Sequence, residues 1–388
     1  MIVFAFALVP IGIWGQVSAA DSTPQQTDSI DRYAEDFITA SLLVADPGRI
    51  LYSTLGHACL RMQCPTYDLD YCFTYESEAV EHRVWSFLAG KLEMALFAVP
   101  TADYCATYRE EGRGVREYTL NLSPETKSRL WQILDETMMA GNVPYDYLHR
   151  GCAIACLHFV KEALGEQTID YAPHLFQTAQ TTKDGFANNT YPDTWSRLFL
   201  LAIAGGESEQ CLTGDEQLIA PADLANAWQQ ATVEGIPLVS AKVNTLVAGA
   251  PQREQHKVTP SIAALLLLLL AVANLFVARP YIDWFLLALQ TTVGCFMVYL
   301  VFLSDLCGTQ WNWLLIPFNP LPILFWRWRR YWAIPYAAVL VVWCIAMVTV
   351  PHVIVDVAHI ILATTLLLLM LKQTVIYRTN STTQDGKK

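Results

Sequence analysis

Apolar and polar positions follow two regimes along this 388-residue chain: short runs broken by turns up to Pro260, and long unbroken apolar tracts after it. In the first regime, "ILYSTLGHACLRM" and "LDYCFTYES" flank the turn "QCPTYD" and predict a β-hairpin over residues 50–76. "EHRVWSFLAGKLEMALFAV" mixes the two periods, and "GVREYTLNLS" predicts a further strand. The helix "PETKSRLWQILDETMMAG" follows, with Ser123 placed to cap it ahead of Pro124 and Glu125, and with Leu130, Ile133, Leu134 and Met138 on one face. The next helix is predicted from Cys152 to Leu164, ended by Gly165. Helices within "PDTWSRLFLLAIAGG" and "APADLANAWQQATVEG" and a closing strand in "PLVSAKVNTLVAG" complete this part, before the polar linker "APQREQHKVTP".

Beyond Pro260 there are apolar segments near 261–278, 282–303, 311–326, 332–350 and 352–371, which predict five membrane spans. The third, "WNWLLIPFNPLPILFW", is short and holds three prolines, the pattern of a broken or tilted helix. Arg279 lies in the first connection, Arg327, Arg329 and Arg330 in the third, and Lys372, Arg378, Lys387 and Lys388 in the tail. The second and fourth connections carry no Lys or Arg, so the positive-inside rule puts connections one and three and the tail in the cytoplasm, and everything before Pro260 outside it. Trp311, Trp313, Trp326, Trp328 and Trp332 fall at span ends, as interfacial anchors do.

Charge divides the chain at the same point: residues 1–260 hold 17 Lys+Arg against 32 Asp+Glu, and residues 261–388 hold 8 against 4. An acidic first part offers no basic field to a phosphate backbone, which argues against nucleic acid as a partner. The first twenty residues join an apolar run too short to span a bilayer to a small-residue segment, and read as an export signal. The expected organisation is a signal peptide over 1–20, a periplasmic catalytic domain over 21–250, a linker over 251–260, a membrane domain over 261–372 and a cytoplasmic tail over 373–388. Seven cysteines fall in the exported part, and a bridge from Cys59 or Cys64 to Cys72 is one pairing that the hairpin allows.

Two residues suggest chemistry. Cys152 follows Gly151 at a helix N-terminus, where the helix dipole and free N–H groups stabilise a thiolate, and where Gly151 permits a tight turn and leaves room for a substrate carbonyl. His57 follows Gly56 at a strand start and is a candidate to take the thiol proton and deliver it to a leaving group. Each alone also fits a packed core residue. Asp70, Thr74 and Glu76 follow the hairpin turn, and Asp70 is the expected partner that orients the imidazole. His158 lies too far along the helix, and Cys156, one turn after Cys152, suits packing.

The stretches "STLGHACLRM", "FLAGKLEMALFAVPTADYCATYREEGRGVREYTLNLS", "YDYLHRGCAIACLHFVKEAL", "LFLLAIAGG" and "APADLANAWQQATVEGIPLVS" resemble the exported domain of the Bacteroidota lipoprotein N-acyltransferase family Lnb. "GTQWNWLLIPFNPLPIL" and the five apolar segments are similar to that family's membrane domain. The resemblance implies an α+β, circularly permuted papain or NlpC/P60-like (LRAT-like) exported domain, followed by an all-α membrane domain of about five helices. It also implies Cys152 and His57 as catalytic residues, with Gly151 and Gly56 beside substrate and oxyanion. One departure is Arg-Gly-Cys where many members carry Asn-Cys. The implied activity is transfer of an acyl chain from a phospholipid donor, through an acyl-cysteine and without a cofactor, to the N-terminal amine of a diacylated lipoprotein at the inner membrane. The alternative is an NlpC/P60-like cysteine hydrolase of the cell envelope, and a third reading is a non-catalytic membrane scaffold.

In the last span, His352, Asp356 and His359 stand at i, i+4 and i+7, a spacing that predicts one polar helical face. A hydrogen-bonded network facing Asp305, Asn312 or Asn319 suits this face better than a metal site.

Overall fold

The computed structural model describes residues 37–77, 84–350 and 354–385, the side chains of 77, 330 and 375–385 excepted. The predicted signal segment, His352 and the last three residues lie outside the described residues.

The α+β part is built on β1 (Thr39–Ala45), β2 (His57–Cys64), β3 (Leu69–Ser77), β4 (Glu93–Pro100), β5 (Val115–Leu120), β6 (Val143–Pro144) and β7 (Val239–Val247). These form one antiparallel sheet in the order β7-β5-β1-β2-β3-β4-β6. The helices are α1 (Val84–Leu88), α2 (Thr101–Glu111), α3 (Pro124–Ala140), α4 (Cys152–Leu164), α5 (Thr182–Asn189), α6 (Trp195–Ile203) and α7 (Pro221–Trp228). The predicted hairpin is β2 and β3, although residues 51–53 form a 3-10 turn and the strand starts only at His57. Ser123 caps α3, accepting from the Thr126 N–H at 3.2 Å, and Gly165 ends α4. Strand β1 escapes sequence reading because "TASLLVA" is covered on both faces and shows no alternation.

Residue alternation sorts the sheet into two faces. On one, Leu42, Leu60, Met62 and Phe73 pack against Leu130 and Leu134 of α3, Leu157 and Val160 of α4, and Trp228 of α7. On the other, Leu43, Cys59 and Cys72 pack against Tyr104 and Tyr108 of α2.

The helical part contains α8 (Pro260–Val277), α9 (Pro280–Phe302), α10 (Leu321–Leu324), α11 (Arg329–Thr349) and α12 (Val357–Asp385). Among the described residues four helices, not five, are long and apolar enough to cross a membrane: α8, α9, most of α11 and the first part of α12. The third apolar stretch is a chain of short turns, because its prolines at 317, 320 and 322 remove backbone donors. Its contacts nevertheless run the length of α9. Gln290 Nε2 donates to the Pro317 carbonyl at 3.1 Å, a Cβ on Gly294 would lie within 2.6 Å of the Asn319 backbone, and Trp326 packs on Trp284. At the far end of the bundle the Asp283 carboxylate accepts from Asn274 (2.7 Å), Lys372 (2.8 Å) and Gln373 (3.1 Å), joining α8, α9 and α12.

At its near end the bundle meets the α+β part backbone to backbone. Gly205 N–H donates to the Gly308 carbonyl (2.6 Å), Gly206 N–H to Gln310 (2.8 Å) and Asp305 N–H to Ala89 (3.1 Å). The predicted linker is no free tether: Gln252 N–H donates to the Pro47 carbonyl (2.7 Å), Ser196 N–H to Glu254 (2.9 Å) and Trp195 Nε1 to Val258 (3.0 Å).

Candidate active site

The chain enters β2 through Gly56, whose φ of +86° and 2.6 Å approach of any added Cβ to the Ala45 carbonyl demand glycine. Its N–H is held by the Ser53 carbonyl at 2.9 Å, so Gly56 shapes the turn into β2.

His57 then stands half-buried at the strand start, with Nε2 2.7 Å from Oγ1 of buried Thr74. The register Arg61↔Cys72 sets 57, 59 and 61 on the same sheet face as 72, 74 and 76. Burial first, and the Arg113 charge second, lower the His57 pKa to about 4, so the ring is neutral at neutral pH. When Nε2–H donates to Thr74, Nδ1 is left as the free base.

Asp70 does not reach the ring. It pairs in register with Gln63, six residues along β2 from His57. Its oxygens accept from Arg61 Nε (2.8 Å), Arg61 Nη2 (2.6 Å) and Thr101 Oγ1 (2.6 Å), and Arg61 also bridges to Glu117 at 2.8 Å. The partner of His57 is therefore Thr74, the uncharged member of the three candidates. Glu76, two residues further on, is exposed.

Cys152 lies half-buried in the first turn of α4. Burial raises its pKa, and opposing this are the backbone N–H groups of Ala58, Ala153 and Cys152 itself and the charge of Arg113. The thiol is thus protonated at neutral pH, within reach of backbone donors from both β2 and α4. Gly151 has an ordinary backbone (φ −59°, ψ 155°), so no tight turn requires it. A Cβ there would meet nothing within 4 Å, so the space beside Gly151 is open. Helix α4 packs on the sheet face opposite to the His57 side chain, so ring and thiol approach each other only around the end of β2, at Ala58. No hydrogen bond joins them in this state.

Arg113 is a site neighbour that sequence reading missed. Val115, Ala45 and His57 form one row across β5, β1 and β2, and Arg113 enters two residues ahead of that row. It is buried, donates from Nε to the Asp46 carbonyl (2.7 Å) and from Nη1 to Glu111 (2.6 Å), and stacks on Tyr108 at 4.7 Å. Its Nη2 is buried without a partner among the described residues. The available signal was an arginine set between two glycines, Gly112 (φ +70°) and Gly114, ahead of a strand.

The segment leading into Cys152 is tied to the helical bundle. The Asp146 carboxylate accepts from Leu148 N–H (3.0 Å), His149 N–H (2.9 Å) and the Cys307 thiol (2.9 Å), while His149 bridges Asp146 (2.9 Å) to Glu207 (3.2 Å). Beside Cys307 lies a cavity of about 600 Å³ lined by Glu207, Ser304, Gly308 and Trp311, at the seam and not at the thiol. Cys156 is buried in the core and His158 is exposed. All ten cysteines are free, and the bridge expected across the hairpin is not formed: Cys72 pairs in register with Arg61, and its thiol meets that of Cys59 as a hydrogen-bond partner only.

The polar set expected along the last span is also rearranged. Helix α12 begins at Val357, so Asp356 precedes it and the i, i+4, i+7 spacing does not apply. Asp356 accepts from Ala358 N–H (3.0 Å) and pairs with Arg197 (3.3 Å), and buried His359 accepts from Asp356 N–H (3.2 Å). Asn312 and Asn319 face neither. Asn312 donates to the Ala202 carbonyl (2.7 Å) and accepts from Leu314 N–H (3.0 Å), and Asn319 donates to Ile316 (2.8 Å) and Tyr336 (3.2 Å). Buried Lys183 pairs with Glu209 at 2.6 Å, and Trp313 donates to the same carboxylate at 2.9 Å. Among the described residues no group of three or more His, Cys, Asp or Glu is placed to hold a metal ion.

Residues 25–184 match the family described as the Lnb N-terminal periplasmic domain. No curated protein and no solved structure matches the chain.

Proposed function

We propose that the chain, whose residues 25–184 match the Lnb N-terminal periplasmic domain, is a membrane-anchored lipoprotein N-acyltransferase of the Lnb family acting through Cys152. The observation that carries this reading is the placing of the Cys152 thiol. It sits at the start of α4, against the Ala58 N–H next to His57, on a segment clamped to the near end of a four-helix apolar bundle. Donor and acceptor both reside in a membrane, so a nucleophile held at the bundle's end meets them without a diffusional search.

The resting pair is neutral on both sides, so the thiol proton moves to His57 Nδ1 as sulfur attacks the donor ester carbonyl. The Ala58 and Ala153 N–H groups are placed to receive the oxyanion, with the Arg113 charge behind them. The C–O bond breaks, the imidazolium returns its proton to the departing alkoxide, and a lysophospholipid leaves from an acyl-Cys152 thioester. The lipoprotein amine then attacks the thioester, giving its proton to Nδ1, and the C–S bond breaks as the thiolate is reprotonated. Thr74 holds Nε2 throughout. The proposed fold of this domain is the permuted papain-like arrangement, for which the order of histidine strand before cysteine helix is the support.

Placement follows the same reading. The α+β part is periplasmic, the broken third stretch crosses beside α9 so that the chain makes five passages, and α12 ends in the cytoplasm. The test is mass spectrometry of a lipoprotein N-terminal peptide from cells that lack native N-acylation, supplied with wild-type protein or Cys152→Ala. A third acyl chain appearing only with wild type is the expected result. A lipoprotein that stays diacylated in both, although the protein is made and inserted, removes the transferase reading in favour of the envelope hydrolase.

A further inference from the structure

Among the described residues of the α+β part, helix α1 leaves a large aromatic side chain almost bare while being locked to the helical bundle. Trp85 is 77% exposed and Val84 45%, whereas Phe87 and Leu88 on the other side of the same turn and a half are buried with Leu306, Leu300 and the bundle core. The lock is at backbone level. Ser304 Oγ donates to the Leu88 carbonyl and Asp305 N–H to the Ala89 carbonyl (3.1 Å), and Gly90, at φ +70°, comes so close that a Cβ would lie 2.2 Å from the Asp305 carbonyl carbon. No side chain fits there, so α1 cannot change its height relative to the end of α9.

That height follows from helix length. The 23 residues of α9 rise about 34 Å at 1.5 Å each, slightly more than the ~30 Å hydrocarbon core of a bilayer. Its last residues, Phe302 (67% exposed) and the adjoining Leu303 (73% exposed), therefore stand at the edge of the acyl region. Leu88 and Ala89 are bonded to Ser304 and Asp305, immediately above that edge. A tryptophan at this level, with an apolar ring and one N–H donor, suits the headgroup layer better than either water or hydrocarbon. Exposed Lys91, after the glycine, adds a cation that can extend toward lipid phosphates.

We infer that residues 84–91 form an interfacial ledge whose Trp85 and Val84 are embedded in the outer lipid headgroup layer, continuous with the lipid-facing surface of Phe302 and Leu303. The ledge deepens the acyltransferase reading and rests on its membrane placement. It stands between the bilayer and the strands of the site: β3, which carries Thr74, runs toward it, and β4, whose preceding residue Leu92 accepts from Tyr145 N–H (2.8 Å) on the way to Cys152, leaves from it. A phospholipid beside the ledge would have its ester linkages near the level of the Cys152 segment.

The test is photo-cross-linking of the full-length protein in native membranes, with p-benzoylphenylalanine replacing Trp85 and, separately, Phe302 and Tyr67. Tyr67 is an exposed position at the β2–β3 turn, the opposite end of the sheet from His57. Phospholipid adducts at 85 and 302 but not at 67, read by mass spectrometry, are the expected result. Adducts at 302 without any at 85 overturn the ledge and leave the membrane placement standing, and adducts at neither overturn both. A second measurement uses activity: Trp85→Ser is expected to raise the apparent KM for phospholipid several-fold with kcat unchanged, while a fall in kcat at constant KM counts against a lipid-contacting role.

Discussion

The end of β2 and the broken stretch 312–328 both gather polar side chains in apolar surroundings, yet they use them in opposite ways. Around 312–328 both asparagine amides donate and accept within the irregular structure they accompany, although the Oε1 of neighbouring Gln290 is buried without a partner among the described residues. Asn312 caps the turn at Leu314 and reaches Ala202, and Asn319 serves Ile316 and Leu321. Such side chains do what water would do for a backbone that prolines have removed from helical bonding. Around His57 the bonding is incomplete among the described residues: the ring is held through Nε2 alone, and the buried Arg113 Nη2 has no partner. Saturated polar groups support structure, whereas unsaturated ones held in place by saturated neighbours are where a substrate can bind.

That contrast orders the expected effects of substitution. Cys152→Ala is the most severe, with acyl transfer falling by at least ~10³-fold and the thermal midpoint nearly unchanged. His57→Gln follows at roughly 10²–10⁴-fold in turnover, read in a proteoliposome assay with a diacylated peptide acceptor. Asn312→Ala acts on the other ledger, costing about 1–3 kcal/mol of stability because the Leu314 N–H and Ala202 carbonyl lose their partner, with turnover per folded molecule retained. Should Asn312→Ala abolish turnover in a protein that still melts cooperatively, the division between the two regions is wrong. Asp70→Asn belongs with the asparagines: Arg61 loses a bidentate partner and stability drops, while the pH profile of turnover stays in place. Thr74→Val is the mildest, lowering turnover by up to about tenfold through the loss of one hydrogen bond to Nε2.

The pH dependence sharpens the same division. The His57 pKa is about 4 in the folded protein and near 6.5 when unfolded, so between these values the unfolded chain binds the extra proton. The stability associated with neutral His57 is therefore complete above about pH 6.5 and declines as pH falls toward 4. Thermal midpoints of wild type should drop more steeply over this window than those of His57→Asn. Alkylation of Cys152 should keep accelerating into the alkaline range, since burial holds the thiol above its usual pKa.

Much of this was readable from the chain. Hydrophobic period and capping residues located the β2–β3 hairpin, α3 and α4, because those signals are local: Ser123 acts three residues away, and Gly165 ends its own helix. The charge and hydropathy break at Pro260 likewise marked where the apolar bundle begins, since composition alone decides which segments favour lipid. What sequence could not reach depended on partners distant in the chain. Strand β1 lacks alternation because two layers cover it, and the five spans became four helices because Gly294, Tyr336 and Gln290 accommodate a stretch that its own prolines keep from being helical.

The residues His57 and Cys152, and their order, were set by the sequence alone. Which of Asp70, Thr74 and Glu76 would meet the imidazole was decided by hairpin register, where six residues along a strand put Asp70 beyond reach and beside Arg61. The charge of Arg113 behind the site and the hold of Asp146 on Cys307 arose only on folding. Electrostatic and hydrogen-bonded contacts depend on distance in space, and the sequence records only distance along the chain.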